Sequence, residues 1–161
     1  MLKVQKTARS VSPLTLAVVK QWLKVDGNSD DSLITTLIEQ SRDLIEQYLG
    51  RSLIDYDITL TATARREVEL PYGPVDSIIS VKDNDGNDVD YKYYGFTVTL
   101  DSPVDTVINY RTTGDLPKGL ELGWLESIAY LYEFRGDDKQ AFKMALYQNQ
   151  NLQPYRMRVW V

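Results

Sequence analysis

The chain of 161 residues contains no cysteine and no histidine. Without cysteine there are no disulfides, thiolate metal ligands or thiol nucleophiles. Without histidine the commonest general base near neutral pH and the commonest nitrogen ligand for metals are both missing. Ser-His-Asp hydrolysis, histidine-based zinc chemistry and phosphohistidine transfer are excluded on that ground. Glycine-rich phosphate cradles and the GxSxG nucleophile turn are also absent. No apolar run approaches the ~20 residues that span a bilayer. The opening MLKVQKTARS lacks the apolar core of an export signal. The expectation is an intracellular site of synthesis, no membrane partner, no cofactor and no enzymatic activity.

What is present fits one globular domain: 43% hydrophobic and 25% charged residues, with a net charge of −5. The charge is unevenly placed. Residues 1–10 carry Lys3, Lys6 and Arg9 with no acid, and residues 151–161 carry Arg156 and Arg158 with no acid. The middle holds 13 of the 18 basic residues and all 23 acids, a net −10. Such a body does not coat phosphate non-specifically. Its basic ends suggest contacts different from those of the body. Residues 1–12 read as a flexible basic arm.

Helical periodicity begins at SPLTLAVVKQWLKV, with Thr15 as N-cap. Leu16, Val19 and Leu23 form one stripe, and Val18, Trp22 and Val25 widen it. Asp26-Gly27-Asn28 is a stop. A longer helix follows, capped at Ser29 or Asp30, with seams Leu33/Leu37/Leu44/Tyr48 and Ile34/Ile38/Ile45/Leu49. Ser41 lies between these seams, a place for close approach of another backbone, and Gly50 ends the helix. Residues 14–50 therefore read as a helical hairpin.

From residue 55 to 113 the period changes to two. Ile58/Leu60, Val68/Leu70, Val75–Asp83, Val89–Tyr94, Phe96/Val98/Leu100 and Asp105–Thr113 predict about five or six short antiparallel strands. Asp85-Gly86 marks a hairpin turn, and Pro71, Pro74 and Pro103 are expected between strands. Pro117 opens a third helix with Leu120, Trp124, Ile128 and Leu131 on one face, which breaks at Gly136, and a shorter helical piece covers 139–147. The order predicts a single α+β domain: a helical hairpin and C-terminal helices (117–147) forming a helical core, with an antiparallel sheet inserted between helices two and three.

Three acidic groupings are candidates for metal chemistry. Asp83-Asn84-Asp85-Gly86-Asn87-Asp88 has its glycine where an EF-hand would place Val81 in the first ligand position, so a hairpin explains it better. Asp26–Asp31 is explained as a helix stop followed by an N-cap. Glu67, Glu69 and Asp76 would be the ligands of a carboxylate-only metal nuclease, the reading from a different class, yet alternation on a solvated strand face produces the same pattern. Aromatics are more informative. Tyr91, Tyr93, Tyr94 and Phe96 cluster around one strand connection. The end of the chain, Leu152, Pro154, Tyr155, Arg156, Met157, Arg158, Val159 and Trp160, is apolar, basic and irregular. Residues 151–161 accordingly read as an extended partner-docking tail whose removal leaves the fold intact.

The stretch 14–53 resembles the N-terminal signature of the head–tail connector (head-completion) proteins of long-tailed double-stranded-DNA bacteriophages and prophages. The matching positions are Leu14, Leu16, Lys20, Leu23, Asp26, Asp31, Leu33, Ile38, Arg42, Ile45, Glu46, Tyr48, Gly50, Arg51 and Leu53. Residues 69–83 are similar to the family's step into a hairpin, 110–137 to its third helix, and NLQPYR at 151–156 to its closing motif. Gly123 departs from the pattern, standing where alanine is expected. The resemblance implies a structural subunit of the virion neck, assembled in the host cytoplasm. It implies a homo-oligomeric ring of about a dozen copies beneath the portal. That ring would extend the channel for packaged DNA, help retain the genome without sequence-specific binding, and dock the next connector or tail protein. A tail-completion or terminator ring is the alternative within the same class.

Overall fold

The computed structural model describes residues 1–134, 143 and 146–157. Its elements are β1 (Leu2–Ala8), α1 (Leu16–Leu23), α2 (Asp31–Leu49), β2 (Tyr56–Glu69), β3 (Val75–Asp83), β4 (Tyr91–Tyr94), β5 (Thr97–Thr112), α3 (Lys118–Phe134) and a 3-10 turn, Gln153–Tyr155. This is the expected α+β class, with the sheet between the second and third helices in chain order. The chain divides into a sheet unit, Met1–Val11 with Gly50–Asp115, and a helical unit, Ser12–Leu49 with Leu116–Met157. Among the described residues no helix is long and apolar enough to cross a membrane.

In the sheet unit all pairings between the named strands are antiparallel, in the order β1-β2-β5-β3, with β4 also on β5. The alternation places Tyr56, Ile58, Leu60 and Ala62 of β2 against Ile108 and Tyr110 of β5 on one buried face, joined by Val68, Val81, Val98 and Leu100. That face is the core. Burying such side chains supplies about 1.5–3 kcal/mol each. Tyr110 is fully buried, and its hydroxyl donates to the Pro71 carbonyl. Burial pushes its phenol well above the usual tyrosine range.

Three expectations are corrected here. The strands are fewer and longer than the alternation implied. β2 joins two expected strands through a kink at Ala64 (φ 48°), where the register breaks. β5 runs 16 residues through Pro103, which was expected between strands. The ladder between β2 and β5 skips there, from Arg65↔Val104 to Glu67↔Thr99, so the missing proline N–H falls at an irregularity. The third correction concerns residues 2–8, expected in a flexible arm. They form the edge strand β1, paired from Leu2↔Ala62 to Ala8↔Tyr56. Backbone pairing along β2 holds them although nearly every side chain of β1 stays exposed. Lys6 lies over the rings of Tyr56 and Tyr72, at 4.9 and 4.5 Å from their centroids.

In the helical unit, Thr15 caps α1 through its hydroxyl, which accepts from the Val18 N–H at 3.4 Å. Lys24 at φ 55° ends the helix, and the Lys20 ammonium clamps the following turn by reaching Gly27 O and Asp31 (2.6 Å). Of the two expected stripes on α1, Val19 is buried while Val18 and Trp22 are exposed. On α2 the buried set is Ile34, Leu37, Ile38, Ile45 and Leu49, with Ser41 among them. The Ser41 hydroxyl accepts the indole N–H of Trp124 at 2.8 Å. A buried indole needs an acceptor, which is the physical reason for a small polar residue inside an apolar seam. On α3, Leu120, Trp124, Leu125 and Ile128 are buried, as the periodicity predicts. The expected break at Gly136 and most of the 139–147 helical piece lie outside the described residues.

Candidate functional site

The candidate site named from sequence is the end of the chain. Arg158, Val159 and Trp160 lie outside the described residues. The remaining five positions are placed as follows. Leu152 is fully buried, Tyr155 and Met157 are half-buried, and Pro154 and Arg156 are exposed. Far from being an extended tail, residues 149–157 turn back through a 3-10 turn onto their own helical unit. Leu152 is thereby withdrawn from any docking role, and residues 151–155 are part of the fold whose integrity they were expected not to affect.

The seat for this segment is a notch on α3. A Cβ at Gly123 would lie 2.6 Å from Leu152 Cδ2 and 2.9 Å from its Cγ. A Cβ at Gly119 would lie 2.7 Å from the Tyr155 hydroxyl oxygen. These two glycines, four residues apart, stand on one face of the helix. Glycine inside a helix costs about 1 kcal/mol relative to alanine. Here the missing side chains are replaced by Leu152 and Tyr155. The departure at Gly123 from the family pattern thus has a steric cause. The G-x-x-x-G spacing within α3 was the available signal, and it was not read.

Polar contacts fix the segment around that notch. The Asn149 amide donates to Gly123 O (3.3 Å) and Glu126 Oε2 (3.1 Å), and the Asn151 amide also donates to Glu126 (3.1 Å to Oε2). The Gln153 amide donates to the Tyr48 hydroxyl (2.8 Å) and to the Tyr147 carbonyl. Tyr48 and Tyr147 meet edge to face at 4.8 Å. The Arg156 guanidinium lies 5.1 Å from the Tyr48 ring centroid. Finally the Met157 N–H donates to Leu49 O at 2.8 Å, satisfying a carbonyl in the last turn of α2. Asn149, Asn151, Gln153, Gly119 and Gly123 were missed as functional positions because each takes its role from a partner distant in sequence.

The other candidates separate from one another. Glu67 lies exposed on β2 and Glu69 is half-buried there, while Asp76 is exposed on β3. Among the described residues no group of three or more acidic side chains could hold a metal ion. Asp83 closes the hairpin turn, accepting from the backbone N–H groups of Asp85 (3.0 Å) and Asn87 (2.8 Å) and from the Asn87 amide (3.0 Å). Hydrogen bonding from Asn87 holds its carboxyl below the usual aspartate range. Tyr91, Tyr93, Tyr94 and Phe96 are all exposed around the β4–β5 turn.

The comparisons with known proteins agree with one another. Several solved chains share the fold, among them the following three. A chain from the neck of an empty gene transfer agent particle, computed with C6 symmetry, has 16% identity and a TM-score of 0.67, over 97% of each chain. A chain from the virion of a native gene transfer agent particle has 19% identity and a TM-score of 0.66, over 96% of this chain and 97% of that one. A chain from the neck of the native particle, computed with C12 symmetry, has 16% identity and a TM-score of 0.64, over 97% of each chain. No curated protein matches the sequence. The family of phage gp6-like head-tail connector proteins matches residues 13–153. That match spans the helical hairpin, strands β2 to β5, α3 and the first part of the segment seated on it, Leu152 included, so the chain belongs to the phage gp6-like head-tail connector family and is a structural protein rather than an enzyme.

Proposed function

We propose that this chain is a subunit of a ring in the neck of a phage-like particle. The ring sits beneath the portal, extends the channel for packaged DNA and offers its far side to the next connector or tail protein. The observation that carries this reading is the family match over residues 13–153, supported by fold relatives drawn from necks of C6 and C12 symmetry. A copy number of about a dozen accords with cyclic closure through one repeated head-to-tail interface. The acidic body, net −10 over residues 11–150, suits a channel through which DNA slides, because like charge lowers affinity for phosphate. Retention of the genome and assembly in the host cytoplasm belong to the same proposal.

The docking segment is redrawn from the buried end of the chain. Leu152 and Tyr155 anchor residues 151–155 in the α3 notch and the Met157 N–H is bonded to Leu49 O, so the portion offered to a portal is the exposed side chain of Arg156 together with Arg158, Val159 and Trp160. Its two arginines provide the positive charge that the body lacks. Sedimentation over a wide concentration range, with imaging of the heaviest fraction and pull-down by a portal, tests the whole reading. Rings, or retention by the portal that is lost when residues 157–161 are removed, are the expected results. A protein that stays monomeric and fails to bind the portal overturns it.

A further inference from the structure

Among the described residues the sheet unit ends in two edges of opposite charge. One edge is β1, with Lys3, Lys6 and Arg9 and no acid in residues 1–10. The other is formed by β3, β4 and the turn between them, where residues 75–94 hold Asp76, Asp83, Asp85, Asp88 and Asp90 against only Lys82 and Lys92. The net charges are +3 and −3. Asp76, Asp85, Asp88 and Asp90 are exposed, and so are Lys3 and Arg9.

The apolar face of the sheet also runs out uncovered at both edges. Leu2 and Val4 pair with the buried Ala62 and Leu60 and therefore share the core face, yet they are 41% and 36% exposed. Tyr91 and Tyr93 pair with the buried Leu100 and Val98 on the same face, and each is 41% exposed. Ile79, the extra residue at a bulge in β3, is 53% exposed. A shallow groove beside it is lined by Val89, Asp88, Asp90 and Tyr91.

We infer that the two edges meet between copies: β1 of one subunit packs against the β3–β4 edge of the next. The inference rests on the ring reading above and names its interface in the sheet unit. A cyclic ring needs a heterologous contact, in which two different surfaces of the same chain are complementary. These edges are complementary both in charge and in uncovered apolar surface. Strand direction is consistent too. Across β1-β2-β5-β3 the strands alternate, so a neighbour in the same orientation brings its β1 antiparallel to β3. The two bulges in β3 interrupt its outer edge, so side chains carry the contact rather than a shared ladder. Following the register across the sheet, Lys3 stands level with Thr61, Val107 and Lys82, and Lys82 is itself bridged to Asp88. Lys3 of one copy therefore faces Asp88 of the next, and Arg9 faces the end of β3 that bears Asp76.

The absence of cysteine makes the test clean. Lys3→Cys, Asp88→Cys and the double variant are treated with a short bismaleimide at concentrations spanning the sedimentation series. Both positions of substitution are exposed, and unchanged cooperative unfolding of each variant checks the fold. The expected result is a ladder of multimers from the double variant, dimers from a mixture of the two single variants, and monomer from either single variant alone. Lys3→Glu is expected to lower the ring fraction about tenfold at low salt, and Asp88→Lys to restore it. Dimers from a single variant alone would show an isologous contact and overturn the inference. Wild-type rings without a ladder would place the interface elsewhere, leaving the ring reading intact. Neither rings, alone or on portal, nor a ladder would remove both.

Discussion

The two ends of this chain look alike in sequence and are held by opposite means. Both are short, basic and free of acid, and both read as loose segments. Residues 2–8 are held by their backbone: an edge strand on β2 whose side chains remain largely in solvent. Residues 149–157 are held by their side chains: Leu152 in a glycine notch, with asparagine, glutamine and arginine contacts around it. The difference teaches that exposed side chains do not mean a free segment when a neighbouring strand offers a ladder. Nor does an irregular polar sequence mean an extended one when a helix leaves space for a single leucine. Substitutions at the two ends should therefore obey different rules.

The largest effect is expected from Leu152→Ala. Removing a fully buried leucine costs about 2–5 kcal/mol, measured as a lowered denaturant midpoint at unchanged slope. An effect below about 0.5 kcal/mol, the range of surface positions, would return the segment to the status of a loose tail. Next comes Gly123→Ala. Helix propensity alone would stabilise α3 by about 1 kcal/mol. The clash with Leu152 should reverse that sign and cost about 1–3 kcal/mol. Combined with Leu152→Ala, the same glycine substitution should become stabilising, and this double-mutant cycle isolates the notch.

For the strand end the backbone decides. Arg9 N–H donates to Asp55 O and Thr63 N–H to Met1 O, so the odd residues of β1 form the hydrogen-bonded pairs. Gln5→Pro should cost about 1–3 kcal/mol by removing a ladder bond, whereas Val4→Pro, whose N–H faces the open edge, should cost markedly less. Equal effects would mean that β1 is not held by its ladder. Smaller still is the alkaline response of the sheet unit. Tyr110 keeps its proton in the folded state because burial raises its pKa above the ordinary 10.0. The unfolded chain releases that proton first, so the contribution of Tyr110 to stability should be constant below pH 10.0 and fall as pH rises further. Tyr110→Phe should flatten that fall, read from unfolding midpoints across the alkaline range.

Reading from residues to elements succeeded where a local pattern is sufficient. The capped α1, the Ile34–Leu49 seam of α2 and the Leu120–Ile128 face of α3 were legible because helical periodicity is a property of neighbours in sequence. So was the alternation that became the sheet core. Strand number was misjudged because a kink at Ala64 and an irregularity at Pro103 interrupt the pattern without ending the strands. Ser41 was marked as a point of close approach, but its partner, Trp124, lies 83 residues away.

Sequence by itself therefore determined the class of this protein. Lacking the chemistries of histidine and cysteine, and carrying helical and strand periods in a fixed order, it was legible as an α+β chain resembling the connectors. Only the tertiary structure decided what the ends do. A ladder partner such as β2, or a notch such as Gly119 and Gly123, is built from residues far along the chain. The free energy of seating a segment there depends on the fit between the two, and neither sequence window contains both.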